Sequence, residues 1–326
     1  MLRRTLRTPD DLVEAGFVPL SARDELAKVA VRYATAIPPA MAALIGQDQG
    51  AIARQFIPDA SELHAAAHES SDPIGDEALS PIKGVVHRYP DRVLLKPTLV
   101  CPVYCRFCFR REHVGPGGGA LRPDELDAAI DWIRDHSAIT EVIITGGDPM
   151  ILSARRIGTL LRRLGDIPHV KRLRIHTRVP VAVPDLINDA MIAALDVATP
   201  LFLVVHANHA LEFTAPAQGA LRRLRLGGIP LLGQSVLLRG INDSETALRD
   251  LFEAMLNARV KPYYLHQLDP APGTARFYVP VAEGRALIAK LRGTIGGHAL
   301  PTYIRDSVAG KRVLEESTVS GLSALR

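Results

Sequence analysis

Val93-Leu94-Leu95-Lys96-Pro97-Thr98-Leu99-Val100 runs straight into Cys101-Pro102-Val103-Tyr104-Cys105-Arg106-Phe107-Cys108, and the chain reads outward from that junction. The first eight residues are a β-rich run bounded by turn formers, and the cysteines begin where it stops. Downstream, helical patterns at residues 122–136, 154–165, 184–195, 215–226 and 244–256 alternate with β-rich runs at 141–145, 172–176, 201–206, 230–237 and 261–267. Six strands alternating with helices predict an α/β fold with a parallel sheet, an incomplete (β/α)6 barrel. In such barrels the reacting groups gather at the C-terminal ends of the strands, where the cysteines lie.

Upstream the pattern changes. Residues 22–33 and 40–45 carry apolar positions at helical spacing, interrupted by Ile37-Pro38-Pro39, and Asp72-Pro73-Ile74-Gly75 marks a loop-rich linker. The expected organisation is an N-terminal helical region with linker at 1–85, the partial barrel at 86–296 and a C-terminal segment at 297–326. No repeat or low-complexity tract interrupts it.

Composition narrows the function classes. Lys+Arg 39 against Asp+Glu 35 leaves a net charge of +4, and the arginine pairs fall within amphipathic segments, so no nucleic-acid partner is expected. The first 16 residues break at Pro9-Asp10-Asp11 and lack the apolar core of a signal peptide; no run suggests a membrane span. Three cysteines within eight positions cannot form a disulfide framework, which points to metal or redox chemistry in a reducing compartment, the cytoplasm.

Three thiolates at Cys-x3-Cys-x2-Cys spacing, Cys101, Cys105 and Cys108, suit three irons of a [4Fe–4S] cubane and leave the fourth iron open. An open iron can chelate the amino and carboxylate groups of S-adenosylmethionine, and an electron from the cluster then splits the sulfonium into a 5′-deoxyadenosyl radical. A Cys3His zinc site completed by His87 or His113 is the bland alternative. Thr145-Gly146-Gly147-Asp148 ends the second strand in a diglycine, where a ligand could approach the backbone or where glycine could serve turn geometry alone.

Several stretches together resemble the lysine 2,3-aminomutase family of radical S-adenosylmethionine enzymes. They are residues 86–93, 101–111 and 145–149, His206-Ala207-Asn208-His209, residues 233–243 and residues 263–269. The resemblance implies a radical S-adenosylmethionine barrel, a [4Fe–4S] cluster, S-adenosylmethionine and pyridoxal 5′-phosphate, and an isomerase that moves an amino group from the α to the β carbon of lysine. It also implies, by position, that Arg88, Tyr89 and Arg92 contact pyridoxal phosphate and that Lys311 carries it. Thr145, Gly146, Gly147, Asp148, His206 and Gln234 are then contacts of S-adenosylmethionine or its surroundings. Arg110 would hold the substrate α-carboxylate, where a guanidinium fork suits a planar anion, and Asp269 and Asp306 its ε-ammonium.

The family usually presents its lysine after a proline- and glycine-rich loop, whereas this chain reads Asp306-Ser307-Val308-Ala309-Gly310-Lys311, shorter and with one glycine. Its length is similar to that of the branch producing β-lysine for elongation factor P. The expected partners are lysine or another small amino acid and an electron donor such as flavodoxin or ferredoxin; self-assembly into a homo-oligomer stays open. Two rival readings accompany this one: an aminomutase-like enzyme for another amino acid, and an iron–sulfur electron-transfer protein on the same barrel.

Overall fold

The computed structural model describes residues 4–48 and 50–314. Its centre is one nine-stranded sheet whose strands lie side by side in chain order. They are β1 (Val85–Tyr89), β2 (Arg92–Thr98), β3 (Glu141–Gly146), β4 (Arg172–Thr177), β5 (Leu201–His206), β6 (Leu231–Leu237), β7 (Lys261–Gln267), β8 (Thr302–Arg305) and β9 (Arg312–Val313). Neighbours from β2 to β8 pair in parallel. β1 and β9 flank them antiparallel, and among the described residues they do not pair with each other, so the barrel is open.

All six expected strands are present, and the short run 302–305 adds a seventh parallel strand. Each parallel step is bridged by helix: α5 (Pro123–Arg134), α6 (Ala154–Gly165), α7 (Val179–Ala182) with α8 (Asp189–Leu195), α9 (Ala215–Leu226), α10 (Glu245–Asn257) and α11 (Val281–Arg292). Side-chain caps set their starts: Ser153, Asn188, Thr214 and Ser244 each accept a bond from a backbone N–H in the first turn. The Asn188 cap explains one difference from expectation. The helix predicted over 184–195 is a 3-10 turn, Pro184–Leu186, followed by a fresh start at Asp189.

Strand periodicity sorts the side chains into two sets. Val93 and Leu95, Val142 and Ile144, Leu173 and Ile175, and Leu203 and Val205 face the helices and form the main core. The alternate residues, Arg92, Thr145, Arg174, His176, Gln234, Tyr264 and His266, face inward and line a cavity. A barrel interior lined by cations, imidazoles and phenols is a site rather than a packed core.

The N-terminal region builds a second core. Its helices α1 (Pro9–Glu14), α2 (Arg23–Arg32), α3 (Pro39–Ile45) and α4 (Ala51–Phe56) contribute Leu12, Met41, Ile45, Ile52 and Phe56, which close over Val103 of the cysteine loop and Ala182 of α7. Backbone bonds from Tyr104 N to Ala36 O (3.3 Å) and from Arg106 N to Gln55 O (2.8 Å) fasten that loop to the region. No described helix is long and apolar enough to cross a membrane.

Candidate active site

One cavity of about 450 Å³ opens at the C-terminal strand ends. Cys101, Cys105 and Cys108 line it from the loop after β2, and Lys311, Asp306 and Asp269 from the loops after β8 and β7. Arg88, Tyr89, Arg92, Arg110, Thr145, Gly146, Gly147, Asp148, His206 and Gln234 also line it, so every residue that the resemblance implies for a cofactor or the substrate meets here.

At the sulfur end, burial pushes all three thiols up, Cys108 to about 11. Three such neighbours do not ionise unaided; a bound cationic centre supplies the charge that lets them do so. The three free sulfurs facing one cavity therefore fit a cluster. His87 packs against Trp132 and His136, His113 lies 3.5 Å from Glu77, and neither lines the cavity, which leaves the zinc alternative without its imidazole.

The backbone geometry requires glycine at both positions of the diglycine, which also lines the cavity. A Cβ on Gly146 would fall 2.5 Å from Thr98 O and one on Gly147 2.4 Å from Val100 O, and Gly146 holds φ +113°. Gly147 N and Asp148 N donate to Thr98 O and Val100 O (2.8 and 3.0 Å), stitching β3 to the root of the cysteine loop. The Asp148 carboxylate turns to the protein, accepting from Met150 N (3.1 Å), Thr177 Oγ1 and Arg178 N (both 2.7 Å), and thereby joins the ends of β3 and β4.

At the opposite end, Lys311 Nζ lies 2.8 and 3.1 Å from the Asp306 oxygens and 5.1 Å from the centre of the Tyr264 ring. His266 Nδ1 lies 3.1 Å from Asp306, and because a carboxylate only accepts, that nitrogen carries the proton. Although burial opposes it, these two partners hold the Asp306 carboxyl well below the usual range. Asp269 behaves oppositely: burial, with Asp306 adding to it, pushes its carboxyl up to about 7. The short Lys311 loop closes as a tight turn in which Gly310 holds φ +108° and Gly310 N donates to Ser307 O (2.9 Å). Lys311 N then donates to Tyr89 Oη at 2.6 Å across the open edge of the barrel.

Cations ring this end. Arg92 stacks on Tyr89 at 4.4 Å, Arg88 Nη2 donates to Ile74 O (2.8 Å), and Arg174 pairs with Glu141 (3.0 Å). Among the described residues, the Nε atoms of Arg88 and Arg174 are buried without a hydrogen-bond partner, so both guanidiniums keep unused donor capacity at the wall of the cavity they line. The donor set therefore fits an aldehyde cofactor bearing a phosphate. Arg110 is oriented by Asp76, whose Oδ2 accepts from Nε at 2.9 Å and pairs with Nη2 at 2.7 Å, while Arg88 lies 3.3 Å from the other oxygen.

Sequence reasoning missed Asp76, Arg174, His176, Tyr264 and His266. The last four had a visible signal, polar residues at alternate positions of otherwise apolar strands. It also missed Glu62, which is fully buried and pairs with Arg106, Arg111 and Arg276.

A family model for the Radical SAM superfamily matches residues 95–252. The chain is 39% identical over 259 residues to the L-lysine 2,3-aminomutase of Acetoanaerobium sticklandii, covering 79% of this chain and 63% of that protein. It is 35% identical over 313 residues to the L-lysine 2,3-aminomutase of Clostridium subterminale, covering 95% and 75%. It is 36% identical over 242 residues to the glutamate 2,3-aminomutase of Clostridioides difficile, covering 74% and 57%. The chain thus spans 63% of the length of the first of these relatives. Among solved structures, Streptococcus suis SuiB bound to S-adenosylmethionine superposes with a TM-score of 0.51 at 14% identity, over 68% of this chain and 51% of that one, a likeness of fold alone.

Proposed function

The chain belongs to the lysine 2,3-aminomutase family of radical S-adenosylmethionine enzymes, and from that premise we propose that it converts lysine to β-lysine. One observation carries the reading: a single cavity holds three cysteine sulfurs at one end and a lysine amine beside two aspartates at the other. Cys101, Cys105 and Cys108 would hold the [4Fe–4S] cluster, with Thr145, Gly146, Gly147, His206 and Gln234 around S-adenosylmethionine. Asp148 supports that wall from behind. Together the cluster and S-adenosylmethionine supply a carbon-centred radical when reduced.

Lys311 would carry pyridoxal phosphate, with Arg88, Tyr89 and Arg92 at its phosphate. Bound there, the cofactor supplies the π system through which nitrogen can pass between adjacent carbons. Arg110, braced by Asp76, presents its guanidinium to the substrate carboxylate. Asp269 and Asp306 offer the distal end two acidic groups, which favours an ammonium over the side-chain carboxylate of glutamate.

The test is anaerobic reconstitution with iron, sulfide and pyridoxal phosphate, followed by S-adenosylmethionine, dithionite and either lysine enantiomer or glutamate. β-Lysine is the expected product. Lysine consumed without β-lysine, or turnover of glutamate instead, overturns the assignment. In a cell, the proposal places the protein in the cytoplasm with a flavodoxin or ferredoxin as reductant. Use of the product on elongation factor P rests on the resemblance, and transfer of labelled β-lysine to that protein tests it.

A further inference from the structure

Arg178, the first residue after β4, is 5% exposed and extends toward the cysteine loop. Its Nη1 donates to Cys105 Sγ at 2.9 Å. The other arm is pinned, with Nη2 donating to Gln55 Oε1 (2.6 Å) and to Glu212 Oε2 (2.7 Å). Its guanidinium lies 4.7 Å from the Phe56 ring centre, and its backbone N–H donates to Asp148. The anchors are themselves fixed: Glu212 is fully buried and its Oε1 accepts from Asn208 N (2.8 Å), His209 N (3.0 Å) and Gln55 Nε2 (3.2 Å). Three separate parts of the chain thus hold one cation against one sulfur.

We propose that Arg178 is a positioning residue that sets the reduction potential of the cluster, acting through the sulfur of Cys105. The inference rests on the reading above, in which the three cysteines hold a [4Fe–4S] centre. A cluster gaining one electron gains one negative charge, and part of that charge resides on its ligand sulfurs. A guanidinium donating to one of them stabilises the reduced form more than the oxidised form, so it raises the potential. Burial strengthens the effect because little water or salt screens the pair. Gln55 and Glu212 keep the fork from rotating away, so the donor is in place before the electron arrives.

The experiment compares the wild type with Arg178→Gln and Arg178→Lys. Each is reconstituted without oxygen, assayed for iron and sulfide, and titrated with dithionite while the reduced cluster is followed by electron paramagnetic resonance. For Arg178→Gln, reduction is expected to become about tenfold less favourable, a midpoint about 59 mV lower for a one-electron couple. Arg178→Lys, which keeps the charge and loses the fork, should fall between. Unchanged midpoints at full iron content overturn the proposal. So does failure of both variants to assemble a cluster, because Arg178 would then be a scaffold residue. A wild type that binds no iron instead overturns the reading of the cysteines, a distinguishable result.

Discussion

Asp269 and Asp306 are the same residue type facing the same cavity, yet they hold their protons in opposite ranges. Asp269 keeps its proton to about 7 when folded, against 3.8 for an unstrained aspartate. Between those values the folded state binds more protons than the unfolded one, so this group makes stability fall as pH rises from about 4 to about 7. Asp306, held low by His266 and Lys311, contributes in the other sense: its stabilisation is present above the ordinary range and is lost on acidification. Asp269→Asn removes the first effect. Relative to the wild type it should gain stability between pH 5 and pH 8, by up to about 3 kcal/mol at 1.36 kcal/mol per unit, measured by urea unfolding at both values. A difference that stays flat with pH would show that Asp269 is ionised throughout. Lys311→Ala should abolish the visible absorbance of bound pyridoxal phosphate while leaving the iron content intact; an unchanged band would place the cofactor on another lysine. At this scale the cysteines stood out by their spacing, and Arg110 and Lys311 only through the family resemblance. The sequence hid the ion pairs of Asp76 and Glu62, because the arginines they pair with lie 12 to 214 positions away.

Element by element, legibility followed length and periodicity. Seven helical segments and six strands were readable from the pattern of apolar and polar positions, whereas β8 has four residues and β9 two, too few to show a period. The same limit applies to the β3 turn, where the sequence showed two glycines and left open whether they faced a ligand or a neighbouring strand. The neighbour is backbone, which cannot retreat as a side chain can. Gly147→Ala is therefore expected to displace the root of the cysteine loop, lowering both the urea midpoint and the iron bound after reconstitution. Full iron content at wild-type stability would mean that the loop tolerates the shift.

For the molecule as a whole, the N-terminal region is part of the site's foundation rather than an appendage. Glu62 lies in its last turn and gathers Arg106 and Arg111 from the cysteine loop and Arg276 from the segment after β7. Removing one partner of such a buried group leaves uncompensated charge, so Glu62→Gln should cost about 3 to 5 kcal/mol by urea unfolding and reduce cluster loading. A loss below about 1 kcal/mol would show that the arginines find other partners. The Tyr89–Lys311 bond spans 222 positions, and that distance bears on synthesis. A ribosome that has released the chain through β7 has made all three cysteines and neither Asp306 nor Lys311. A product cut short there would carry the sulfur ligands without the amine that completes the opposite wall.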